Sequence, residues 1–318
     1  MPTSPSMKKP RRLAAALLGL AAATGLAANA GAQMGGQQAN VLTIARADGI
    51  IKSPAPFQVF QRNANGTADV PVVLDDSLKH ATNVRVALTR ASGAISPPFV
   101  DGKLVGVPTG GPYLVDVSYD RLGSPSVSIS LGPIYVGDLW VLAGQSNMEG
   151  VGDLIDVTPP DARVAALGMD GKWVQATEPL HWLVDSPDPV HSGDPATRAE
   201  RSAQQHRTRT KGAGLGLPFA VEMVKATGVP VGLIVTAHGG TSMAQWSPAK
   251  KDEGGKSLYG SMMRQIQLAG GKVKGVLWYQ GESDASRAET AEAYPKVFAD
   301  FINAVRSDFG QPDLPFYY

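Results

Sequence analysis

Three short clusters in this sequence combine the side chains that acyl chemistry uses, and each begins where an apolar run ends. Gly144-Gln145-Ser146-Asn147-Met148 follows DLWVLA, His238-Gly239-Gly240-Thr241-Ser242 follows VGLIVTA, and Gln280-Gly281-Glu282-Ser283-Asp284 follows VKGVLWY. Ser146 is placed to be a nucleophile: Gly144 allows a tight turn, and a helix opening at Ser146 would aim N–H groups at a developing anion. The same position also suits a plain N-cap serine. Gly239-Gly240 can bring a second backbone N–H to that point, or form an ordinary tight turn. Gln280 can offer an amide donor to an oxyanion, or be a surface residue at a strand end. Gln145 and Asn147, flanking Ser146, complete the candidate oxyanion and substrate contacts. Glu282 and Asp284 can orient a histidine or cap the next helix, and Ser286 with Glu289 reads as a capping box.

A serine nucleophile needs a base. The histidines are His80, His181, His191, His206 and His238. Asp188-Pro189-Val190-His191 spells D-x-x-H, between the first and second clusters, and is either a base or a polar part of a substrate-side loop. His238 adjoins the Gly-Gly turn and is expected to line the pocket.

The elements that would carry these clusters alternate. From Asp138 onward, buried strands 138–143, 231–237 and 273–280 are separated by helices 217–228 and 257–271. A further helix over 297–310 and a strand beginning at LPFYY (314–318) follow. This alternation predicts a parallel sheet, whose ligands bind beyond the carboxyl ends of its strands. Before it, VLTIA (41–45), FQVFQ (57–61), DVPVVL (69–74), NVRVAL (83–88), YLVDVSY (113–119) and SVSISL (126–131) predict a small all-β, sandwich-like domain over 41–136. Residues 151–212, rich in Pro, Asp, His and Arg, show no pattern and read as a surface excursion near the site or partial disorder.

The composition suits an ordinary globular protein: 43% hydrophobic and 18% charged residues with a net charge of +1 give no nucleic-acid footprint. With no cysteine, disulfides and thiolate chemistry are excluded. Residues 1–32 read as a signal peptide: Lys8, Lys9, Arg11 and Arg12, then apolar Leu13–Ala28, then Ala30-Gly31-Ala32. The apolar run is shorter than the roughly 20 residues a membrane span needs. Cleavage would leave a weakly acidic chain, secreted or periplasmic, without a membrane anchor.

VGDLWVLAGQSNM, HGGTSMAQW and LWYQGESD, in this order, resemble the three blocks of the sialate O-acetylesterase and carbohydrate esterase family six group of SGNH-type hydrolases. FQVFQRN and GGPYLVDVSY are similar to the β-domain of sialate O-acetylesterases. The resemblance implies a flavodoxin-like three-layer SGNH hydrolase domain over 137–318, and an acetylated carbohydrate as substrate. It implies Ser146 as nucleophile, oxyanion donors from Ser146, a glycine of the second block and Gln280, and Glu282 assisting the catalytic histidine. It implies no metal or organic cofactor. The family takes its catalytic histidine from a D-x-x-H loop after a strand like LPFYY, so the expected loop lies beyond Tyr318 and the domain reads as truncated. The chemistry implied is removal of acetyl groups from sialic acid or xylan-type glycans. The alternatives are a general short-chain acyl esterase and a carbohydrate-binding protein without the base.

Overall fold

The computed structural model describes residues 49–120 and 127–318. The signal-peptide segment and VLTIA lie outside the described residues. No helix among the described residues is long and apolar enough to cross a membrane.

The fold is mixed α/β, built on a 10-stranded sheet. Its strands are β1 (Val59–Gln61), β2 (Thr82–Arg90), β3 (Gly93–Ile95), β4 (Gly110–Asp120), β5 (Val127–Gly144), β6 (Val164–Leu167), β7 (Trp173–Gln175), β8 (Val231–Val235), β9 (Gly275–Tyr279) and β10 (Phe316–Tyr317). The helices are α1 (Ser146–Glu149), α2 (Pro189–Ser192), α3 (Arg198–Thr208), α4 (Gly216–Thr227), α5 (Leu258–Leu268) and α6 (Ala288–Asp308).

β5 joins the two halves of this sheet. Its first part, from Val127 to Val136, pairs antiparallel with β4, which pairs in turn with β2. Its second part, from Asp138, lies between β8 and β9, parallel to both. β6 extends the parallel run beside β8, and β10 extends it beside β9. VSISL of the first run and DLWVLA, read separately in the sequence, are thus two ends of one strand, with the register shifting between Leu131 and Ile134.

Side chains alternate across β5 as a strand's period of two requires. Leu139, Val141 and Ala143 join a core with Tyr259, Met262 and Ile266 of α5 and Phe298, Phe301 and Val305 of α6. Trp140 and Leu142 join another with Leu217, Ala220 and Val224 of α4. Burial on both faces explains why LWVLA (139–143) is a continuous apolar run. A third core, including Leu88, Leu104, Val115 and Val117, fills the N-terminal β-region.

Three expectations need correction. The 151–212 stretch is ordered and contributes β6, whose four residues are all buried in the sheet. α6 begins at Ala288, nine residues before the expected start, and carries Pro295 within it. Ser286 forms no capping box: the N-cap is Arg287 without a side-chain cap, and Ser286 Oγ donates to Ser283 O at 2.8 Å.

Candidate active site

The three clusters meet because their strands are neighbours. Gly144 at the end of β5 is in register with Tyr279 at the end of β9, and Leu142 with Val235 at the end of β8. Gly144 has φ +134°, and a Cβ there would lie 2.1 Å from Tyr279 O. Only glycine permits this crossing of strand end and neighbouring backbone. The chain then turns, Gln145 N donates to Tyr279 O at 2.8 Å, and Ser146 opens α1. Its N–H therefore lies in the first turn, where helical N–H groups have no intrahelical partner. Among the described residues, Ser146 Oγ has no hydrogen-bond partner.

The second cluster packs directly on Ser146. A Cβ at Gly239 would stand 3.5 Å from Ser146 Cβ and 3.0 Å from Glu149 Oε2. His238 N donates to Gly144 O at 3.0 Å, fixing the approach of the two strand ends. Gly239 N–H donates to Glu149 Oε2 at 2.7 Å. Burial raises the Glu149 carboxyl above its ordinary range, against the opposing pull of the Gly239 N–H and the Arg209 charge. Arg209 Nη2 lies 3.9 Å from Glu149 Oε1.

The third cluster closes the other side. Asn147 Nδ2 donates to Glu282 Oε1 at 2.6 Å, and Ser283 N to Gln145 Oε1 at 3.3 Å. Gln280 is buried, and its amide nitrogen donates to Thr241 O at 2.9 Å and to Asp284 Oδ2 at 2.6 Å. Both acceptors fix which end of the amide is nitrogen. The expected free donor at Gln280 is therefore not present: its hydrogens tie the second cluster to the third. Asp284 also accepts from Met243 N at 2.9 Å. Glu282 is exposed and touches Asn147 rather than a histidine.

Residues 136–318 match the family described as carbohydrate esterase, sialic acid-specific acetylesterase. The chain belongs to this family. A probable carbohydrate esterase of Arabidopsis thaliana is 29% identical over 204 residues, covering 58% of this chain and 68% of that protein. The crystal structure of a carbohydrate acetylesterase from Xanthomonas citri is similar in fold, with a TM-score of 0.50 at 23% identity over 82% of this chain. This chain spans 57% of that protein's length. An Arabidopsis thaliana protein structure aligns with a TM-score of 0.43 at 28% identity, over 56% of this chain and 71% of its own.

In this carbohydrate esterase the excursion before α4 supplies residues that its irregular sequence hid. Asp188, His191 and Ser192 are buried. His191 does not approach as a free base: its Nδ1 lies 3.0 Å from His238 Nδ1 and its Nε2 lies 3.1 Å from Ser261 Oγ. Ser261 Oγ donates to Asp188 Oδ2 at 2.5 Å, and Arg264 Nε donates to the same oxygen at 2.9 Å. Burial pushes His191 down to about 3, with the charges of His238, His181 and Arg264 adding to it, and burial also lowers His238. The D-x-x-H spelling was the only signal for this network. Glu149, Arg209, Ser261 and Arg264 carried none.

Proposed function

We propose that this carbohydrate esterase removes O-acetyl groups from a glycan through an acyl-enzyme on Ser146. The observation that carries the reading is the juxtaposition of Ser146, opening a helix at the central strand end with its hydroxyl unpartnered, and the Gly239 turn packed against it. Ser146 Oγ attacks the acetyl carbonyl as a base takes its proton. The oxyanion forms beside the first N–H groups of α1 and the Gly240 N–H, because the Gly239 N–H expected to serve is tied to Glu149. Collapse expels the sugar hydroxyl and leaves acetyl-Ser146, which water hydrolyses to acetate and free serine.

Asn147 and Gln145 then position Ser146 through Glu282 and Ser283, and Gln280 holds the second and third strand-end loops in register. Residues 137–318 act as an SGNH-type three-layer catalytic domain, and the β-region over 41–136 as its accessory domain. The protein works outside the cytoplasm after signal cleavage, where acetylated xylan or sialic acid is met as polymer or free glycan.

Ser146→Ala tests the reading. Hydrolysis of 4-nitrophenyl acetate and acetate release from acetylated xylan should both disappear while the far-UV circular dichroism spectrum is unchanged. Hydrolysis at the parental rate in Ser146→Ala ends it. Acetyl, butyryl and octanoyl esters compared side by side separate the glycan acetylesterase from a general short-chain esterase. Each added methylene gains only about 1–3 kcal/mol in an apolar pocket, so acetyl preference must arise from steric exclusion.

A further inference from the structure

The hydrogen-bond chain from Asp188 to His238 fixes its own proton positions. The Asp188 carboxylate, ion-paired with Arg264, accepts only. Ser261 must therefore direct its O–H at Asp188 Oδ2, at 2.5 Å. That leaves Ser261 Oγ a lone pair toward His191 Nε2, at 3.1 Å, so the proton between them sits on His191 Nε2. Neutral His191 then has a bare Nδ1. It faces His238 Nδ1 at 3.0 Å, so this proton belongs to His238 Nδ1. The last atom of the chain, His238 Nε2, is left with a lone pair. Burial keeps both rings in the neutral form that this pattern needs.

His238 lines a cavity of about 300 Å³, together with Gly239, Gln245, Lys250, Glu253, Lys256 and Ser257. Its volume is at the lower end of the roughly 300–1,000 Å³ of small-molecule sites. The walls offer charged and neutral donors and acceptors. Among the described residues His238 Nε2 has no hydrogen-bond partner and is not a sealed-off atom. Gly239 lines the cavity and also packs against Ser146.

We infer that this cavity is a subsite for one sugar unit beside the scissile ester, and that His238 Nε2 accepts a hydrogen bond from a sugar hydroxyl. The reading rests on the esterase proposal for the identity of its ligand. A hydroxyl is the complementary group: it donates to the bare nitrogen and accepts from Lys250 or Lys256. An ester carbonyl, with no donor, finds no partner at His238 Nε2. His191, Ser261 and Asp188 act as positioning residues, since they touch His238 or one another and not the cavity's ligand.

Histidine ¹⁵N labelling tests the proton pattern without any variant. Long-range ¹H–¹⁵N spectra should show His238 protonated on Nδ1 and bare on Nε2, and His191 protonated on Nε2. A His238 ring protonated on Nε2 overturns the inference. Next, Ser146→Ala protein is titrated with an acetylated xylo-oligosaccharide. A saturable shift of the His238 Nε2 resonance is expected, with affinity falling roughly three- to tenfold in the Ser146→Ala/His238→Ala protein, as for one lost hydrogen bond. No saturable shift, or unchanged affinity without His238, overturns the subsite and leaves Ser146's role intact. Deacetylation of the probe by Ser146→Ala protein instead removes the esterase proposal, and the spectra still report the tautomers.

Discussion

Glu149 Oε2 accepts the Gly239 backbone N–H at 2.7 Å, so the loop after one strand is anchored by a residue three positions beyond the candidate nucleophile on the next. The carboxylate is partly buried and Arg209 stands on its other side. Ser146 and Gly239 are thereby held as one unit, although they are 93 residues apart in the chain.

Glu149→Gln keeps an acceptor for Gly239 N–H and should preserve both fold and activity within a few-fold. Glu149→Ala removes it and leaves Arg209 facing an empty, half-buried position. A hydrogen bond to a charged group contributes about 1.5–3 kcal/mol, so the Gly239 amide should exchange roughly ten- to a hundredfold faster in Glu149→Ala. Amide exchange by mass spectrometry reads this directly. Equal protection in both variants would show that the loop is held by other contacts.

Gly144→Ala should fail more severely than Gly239→Ala. At Gly144 a Cβ meets Tyr279 O at 2.1 Å with φ at +134°, so both the backbone conformation and the β5–β9 pairing oppose it. Strain and overpacking together cost about 3 kcal/mol or more. At Gly239 the nearest atom is the carboxylate end of Glu149, at 3.0 Å, which can withdraw. Soluble Gly239→Ala protein with weakened esterase activity, beside insoluble Gly144→Ala, is the expected pair of outcomes. A reversed order of thermal stability would contradict it.

Much of the scaffold was legible because the parallel strands are buried on both faces and so appear as unbroken apolar runs. The strand-end clusters could be placed together on that basis alone. β6 was not legible: Val164-Ala165-Ala166-Leu167 is short, alanine-rich and fully buried, so it shows neither alternation nor strong strand propensity. The start of α6 was hidden by Pro295, an internal residue that reads as a helix boundary. Gln280 was identified as a site residue, but not its partners. Thr241 approaches it only through the register of β8, β5 and β9, and Asp284 through the folding of their shared loop. The Asp188–Ser261 contact spans 73 residues, and no local pattern foretells it.

Gln280 gives a sharp discrimination between two roles. As a tie between Thr241 O and Asp284, its loss in Gln280→Ala leaves a buried carboxylate and a carbonyl short of a donor. Unsatisfied buried groups of this kind cost about 1–3 kcal/mol, so the melting temperature should drop by several degrees. As an oxyanion donor it would instead lower kcat by about 10²–10³ with little change in stability. Measuring thermal unfolding and kcat on the same variant separates them. An unchanged melting temperature with a large fall in kcat would refute the structural role.

Stability should fall as the medium is acidified from neutrality, through histidine burial. His181 and His191 are both held down to about 3, chiefly by burial, from an ordinary value of 6.5. Arg209 faces His181, while His238, His181 and Arg264 face His191, and all of them oppose a further positive charge. Below about pH 6.5 the unfolded chain binds these protons and the folded chain does not, so the unfolded state gains. Each such histidine lowers the unfolding free energy by about 1.4 kcal/mol per pH unit down to its folded value. The buried carboxyls Glu149 and Glu178 are shifted upward and act in the opposite sense once the pH enters their range. The histidine effect should therefore dominate between neutrality and the onset of carboxyl titration. Urea unfolding at pH 7.5, 6.5 and 5.5 should give a constant free energy between the first two to within about 1 kcal/mol, then a decline. In His191→Gln protein the decline should be shallower by one histidine's share. A parallel slope would show that His191 takes up a proton in the folded protein.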